Sequence, residues 1–129
     1  MIIMGIQIIK LASGAADASG DATATTSNPV NGIIRAIELV YTASSDAGTD
    51  TVITEEGNTT DTTILSLTNA NTNGWFYPHN YPEDVAGADL TYDGTEEIAV
   101  PFYVSRPLTI TIADQTEDYS VTAYIYVEK

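Results

Sequence analysis

Residues 108–127 read Leu-Thr-Ile-Thr-Ile-Ala-Asp-Gln-Thr-Glu-Asp-Tyr-Ser-Val-Thr-Ala-Tyr-Ile-Tyr-Val. Leu108, Ile110 and Ile112 alternate with Thr109 and Thr111, and Val121, Ala123, Ile125 and Val127 alternate with Thr122, Tyr124 and Tyr126. A period of two gives each strand one apolar face and one threonine–tyrosine face, with the polar Asp114–Asp118 as the turn between them. The spacing predicts strands over Leu108–Ala113 and Tyr119–Val127.

Working toward the N-terminus, Glu96–Val104 is a further strand candidate. Pro101 within it argues for an edge, a strand start or a bulge. Residues 69–94 carry Pro78, Pro82 and five aromatic residues without a sustained period. A loop of that length in a small domain is usually functional or partly folded. Before it, Thr62–Thr68, Thr49–Glu55 and Ile33–Ala43 read as strands. In the last of these both parities carry apolar groups, which suits a central strand. Asp21–Thr26 is a short polar strand and Ile2–Leu11 the first one. Residues 1–20 alternatively make an extended arm, or a strand plus loop. The opening segment has no basic region, and Gln7 and Lys10 interrupt its apolar run, so it reads as a strand rather than a secretion signal. Nineteen threonines and the absence of any βαβ rhythm fit an all-β chain. The expectation is one domain over residues 1–129. It is a single antiparallel β-sandwich of seven to eight strands, jelly-roll or immunoglobulin-like.

Composition narrows the partners. Eighteen acidic residues face four basic ones, for a net charge of −14 over 129 residues. Lys10, Arg35, Arg106 and Lys129 cannot build the basic surface that nucleic acid or an anionic membrane requires. Cysteine is absent, so disulfides, thiolate chemistry and sulfur-ligated metals are excluded. His79 is the sole histidine. Asp84 could orient it, but nothing marks a nucleophile for it to serve. The doublets Glu55-Glu56 and Glu96-Glu97 point to opposite faces of a strand, so neither is a catalytic pair by itself. The chain reads as a non-enzyme with no cofactor. Asp46, Asp50, Asp84, Asp89 and Asp93 leave calcium as a minor reading without a recognised loop pattern. Asn58-Thr59-Thr60 is a formal glycosylation sequon.

The aromatic run Trp75-Phe76-Tyr77, followed by His79 and Tyr81, is the most informative local feature. Three consecutive aromatics on an extended backbone cannot all enter one core, so at least one faces a partner or covers a sheet end. Interface anchors, sugar-stacking rings and an end cap of the sandwich are all compatible with it. The outward Tyr124 and Tyr126 allow the same readings.

The stretches Gly32–Tyr41, Thr49–Ile53, Thr63–Pro78 and Gly87–Thr95 resemble small all-β proteins encoded among the head genes of tailed bacteriophages. The resemblance spans roughly Asp21 to the C-terminus and carries no diagnostic motif. It implies a virion structural protein, a decoration or cement protein on the capsid exterior, made in the host cytoplasm. Its partner would be the major capsid protein or another virion protein, and its form a homo-oligomer, with a trimer favoured. The acidic charge agrees with an exterior position, since packaged DNA repels it. No catalytic residue carries over. Candidate contact residues are Ile3, Ile6, Ile8, Trp75, Phe76, Tyr77, His79, Tyr81, Tyr124 and Tyr126. A carbohydrate-binding or host-adhesion module is the alternative.

Overall fold

The two strands with the cleanest alternation form as the pattern dictates, at Leu108–Ala113 and Val121–Glu128. Both lie inside sheets, and each buries its apolar parity: Leu108, Ile110 and Ile112 on one, and Val121, Ala123, Ile125 and Val127 on the other. The structure, a computed structural model, describes residues 5–91 and 98–129. Among these residues there are eleven strands: β1 (Ile6–Ala12), β2 (Ala22–Thr25), β3 (Gly32–Tyr41), β4 (Asp50–Glu55), β5 (Thr62–Leu67), β6 (Gly74–Phe76), β7 (His79–Asn80), β8 (Val100–Pro101), β9 (Tyr103–Val104), β10 (Leu108–Ala113) and β11 (Val121–Glu128).

They make three antiparallel sheets, which corrects the expectation of one sandwich of seven to eight strands. The first has the order β1-β11-β3-β6, with β9 also on β3; the second has β2-β10-β4-β5; β7 and β8 form a third. The extra pieces have local causes. Pro101 has no N–H to donate, so the strand expected over Glu96–Val104 divides. Its first part, Val100–Pro101, pairs with β7, and Tyr103–Val104 pairs with β3. The segment read as a long loop contributes β6, β7 and a bridge between Glu83 and Asp89. Residues 96 and 97 of the expected strand, and residues 2–4 of the first one, lie outside the described residues.

The inner faces of the two larger sheets share one core. Ile34, Ile37, Leu39, Ile53, Ile110 and Ile125 are each completely buried within it. β3 is central, as its two-sided apolar pattern suggests, and it contains one irregularity. Its register against β11 shifts between Tyr126 and Val127, so that Ala36 pairs with Tyr126 and Ile34 with Val127. Arg35 is the extra residue of a bulge, and the buried parity changes from Ile34 to Ile37, Leu39 and Tyr41 as the chain passes it. Arg35 itself stays on the surface and pairs with Glu128.

One end of the core is closed by a polar hub. Gln115 is buried, and its Oε1 accepts from the Asp46 N–H at 3.0 Å and the Thr116 N–H at 2.9 Å. Its Nε2 donates to Ser45 Oγ at 2.9 Å. The buried Thr49 hydroxyl lies 3.2 Å from the same Oε1. One side chain therefore ties the β10–β11 turn to the loop before β4.

Tyr41 and Thr51 sit in the core with hydroxyls that meet no partner in hydrogen-bond geometry. Burial pushes the Tyr41 phenol above the usual tyrosine range, and the nearby Thr51 hydroxyl opposes this in smaller measure. An acid whose folded pKa is raised keeps its proton while the unfolded chain loses it. Stability therefore falls as pH rises through the unfolded value of about 10. Tyr41→Phe is expected to be neutral, or to stabilise the fold by about 1 kcal/mol, because it deletes an unsatisfied oxygen. It should also flatten the alkaline decline. Urea unfolding of both proteins at pH 7 and above pH 10 measures both effects.

Candidate functional site

Cross-strand register decides which side chains share the outer face of the five-stranded sheet. Ile8 stands opposite Tyr126, and Tyr126 opposite Ala36. Lys10 stands opposite Tyr124, Tyr124 opposite Glu38, and Glu38 opposite Trp75. Ile6 is opposite Glu128, which is followed across the sheet by Ile33 and Tyr103. Trp75 leans over Tyr126 with ring centroids 5.3 Å apart and planes tilted by 52°. Ile6, Ile8, Trp75 and Tyr103 are 54%, 54%, 48% and 71% exposed. The face is thus an aliphatic–aromatic surface with a few charges set in it.

Of the residues nominated from sequence, Ile6, Ile8, Trp75, Tyr124 and Tyr126 come together here, from three strands. Phe76 turns the other way and packs against the core, as alternation requires of the middle residue of three. Tyr77 is exposed beyond the end of β6. His79 and Tyr81 form a separate pair at the third sheet, with Nε2 3.1 Å from the Tyr81 hydroxyl and the rings edge to face at 5.4 Å. Ile3 lies outside the described residues. Tyr103 and Ile33 belong to the face but carried no sequence signal, because only the pairing of β9 with β3 places them there.

The opposite side of the molecule differs in kind. The outer face of the four-stranded sheet carries a row Thr25–Thr109–Thr54–Thr63, one residue from each strand. Beside it runs Thr23–Thr111–Val52–Ser66. Neighbouring hydroxyls bond to each other, Thr25 to Thr109 at 2.8 Å and Thr23 to Thr111 at 3.1 Å.

Four of the carboxylates nominated for chemistry serve the backbone. Glu55 accepts from the Ser105 and Arg106 N–H groups at 2.8 and 3.2 Å. Asp46 accepts from Gly48, Asp50 from Asn69, and Asp84 from Ala86 and Ala88. The nitrogens of His79 contact the Tyr77 carbonyl and Tyr81. No group of three or more metal-ligating side chains is gathered among the described residues. Asp93, Glu96 and Glu97 lie outside them. Comparison with protein-family models, curated proteins and solved structures finds no match to this chain.

Proposed function

We propose that this chain is a non-enzymatic structural protein of a tailed-phage virion, placed on the head exterior and bound to the major capsid protein or another virion protein. The contact is the outer face of the five-stranded sheet. The observation that carries this reading is the contrast between the two outer faces, one with Ile6, Ile8, Trp75 and Tyr103 exposed together and the other lined by threonine. Contiguous exposed apolar surface is a usual mark of an interaction site, and Trp and Tyr are typical anchors. We further read the architecture as a jelly roll. The chain passes between the two larger sheets so that β1, β11, β3 and β6 interleave in one and β2, β10, β4 and β5 in the other, as in two nested Greek keys. That fold hosts many functions and does not by itself name one.

On a shell the mechanism is linkage: a protein that binds only the assembled lattice stabilises it by mass action, and many copies multiply the effect. Trp75→Ala should cost at least about 2 kcal/mol of binding if Trp75 is an anchor. Folding stability should change by only about 0.5–1.5 kcal/mol, the worth of its contact with Tyr126. Co-sedimentation with heads of the encoding phage, alongside urea unfolding, measures both. Equal losses in the two assays would place Trp75 in a structural role and sink the reading.

Glycan recognition is the second reading, favoured by the half-exposed Trp75 ring in one cross-strand row with Glu38, Tyr124 and Lys10. Quenching of Trp75 fluorescence by an oligosaccharide, with no binding to heads, would replace the first reading with this one.

A further inference from the structure

Every sheet edge offers unpaired backbone groups, and folded proteins usually blunt them with short strands, bulges, proline or charge. Here most edges follow that rule. β2 has four residues, β6 three and β9 two. β5 has six but carries a register shift against β4. β1 carries only one such device, the charge of Lys10, and is otherwise long and regular. It runs seven residues, Ile-Gln-Ile-Ile-Lys-Leu-Ala, with no proline and an unbroken register against β11.

The phase of its ladder can be fixed. Lys129 donates to the Gly5 carbonyl and Ser13 to the Val121 carbonyl. In an antiparallel ladder, hydrogen-bonded pairs alternate with non-bonded ones. Gln7, Ile9 and Leu11 therefore bond to β11, while the N–H and C=O groups of Ile6, Ile8, Lys10 and Ala12 point away from the sheet. No described strand pairs with that side.

Charge marks the same edge. No Asp or Glu occurs in residues 1–16 or 22–37, although the chain has eighteen. A cleft of about 470 Å³ runs between β1 and β2 and on to residues 26–31. None of its lining residues is acidic, and it takes in Lys10 and Lys129, two of the four basic residues. For a protein of charge −14, a second copy approaching this cleft meets no carboxylate among its described lining residues.

We propose that β1 pairs with β1 of a second copy, antiparallel about a two-fold axis, joining two five-stranded sheets into one. The register that employs all four outward-facing residues pairs Ile6 with Ala12 and Ile8 with Lys10 of the other copy, and sets the axis at Ile9. It also keeps the two Lys10 side chains from lying directly opposite each other, an arrangement that destabilises sheets. Such an interface is self-complementary and closes at two. Ile6 and Ile8 of both copies then extend one outer face. Because each copy carries −14 overall, screening of long-range repulsion should strengthen the dimer as salt rises. A contact held by opposite charges would weaken.

The test begins with mass by light scattering across a salt series. A dimer that tightens with salt is expected; a monomer at every salt concentration, or a trimer, overturns the proposal. Register is tested with cysteine, since the native chain has none. Cα atoms of a hydrogen-bonded pair lie about 5.5 Å apart, within disulfide range. An equimolar mixture of the Ile8→Cys and Lys10→Cys chains should cross-link on mild oxidation far more than either chain alone. Failure of the mixture to do so overturns the register. Ile8→Pro removes only an outward-facing N–H and should weaken the dimer at least about tenfold. Undiminished dimerisation of a folded Ile8→Pro chain overturns the edge assignment, and if that variant does not fold, the cross-linking pattern decides. None of these outcomes bears on whether Trp75 binds a shell, so the two readings fail separately.

Discussion

Gln115→Ala should lower the unfolding free energy by about 2–4 kcal/mol, a large share of what holds a domain of this size together. The loss has three parts. The Asp46 and Thr116 N–H groups lose the oxygen they share, at 3.0 and 2.9 Å. Ser45 Oγ loses its donor but still donates to the Thr42 carbonyl at 2.6 Å. A side chain only 5% exposed leaves a void among groups that were shielded from water. Thr49 fares better, since its hydroxyl keeps the Asp46 carbonyl at 2.6 Å. The urea midpoint should fall with the slope unchanged, because the same surface is exposed on unfolding. A drop below about 1 kcal/mol would mean that water replaces the amide without penalty.

Gly32→Ala should be at least as damaging, at about 3 kcal/mol or more. Gly32 opens β3 at φ +140, where an L side chain is strained whatever the space around it. Space is also lacking: a Cβ would lie 2.5 Å from the Glu128 carbonyl oxygen and 2.7 Å from Val127 Cγ1. Relief requires the end of β11 to move away, at the point where Ile33 pairs with Glu128 and Arg35 reaches the same carboxylate. Gly74→Ala is the control. Its Cβ would make ordinary contact with the Phe76 ring at 3.7 Å, and its melting temperature should stay near that of the native chain. A Gly32→Ala protein as stable as the control would show that β11 yields freely there.

What the sequence made legible follows from how local each signal is. β10 and β11 were readable because their period is unbroken and each buries one complete parity. β3 was legible as a central strand with apolar groups on both sides, since it lies between β11 and β6 and keeps Ile33, Ala36 and Val40 half-buried on its outer face; the bulge at Arg35, where the buried parity changes, was not legible. Pro101 signalled an edge, a strand start or a bulge, and Val100–Pro101 is an edge strand; that the chain would serve two sheets on either side of it was not legible. The aromatic run implied that at least one ring faces a partner or covers a sheet end. Trp75 and Tyr77 outside, with Phe76 inside, follow from alternation once β6 is known to be a strand. Tyr103 and Gln115 were invisible for another reason: their roles depend on partners about seventy residues away, at Ile33 and Asp46, and no local pattern encodes that.

The hydroxyl rows of the four-stranded sheet have a consequence for how the protein would be used. The threonine and serine hydroxyls of those rows carry no charge, so their own hydration does not change through protonation. The aromatic side differs, because kosmotropic salts such as sulfate strengthen the tendency of apolar surface to leave water. A body built this way has a top and a bottom. Burial of surface therefore favours the aromatic side over the hydroxyl side, a bias that orients the body without any directional bond.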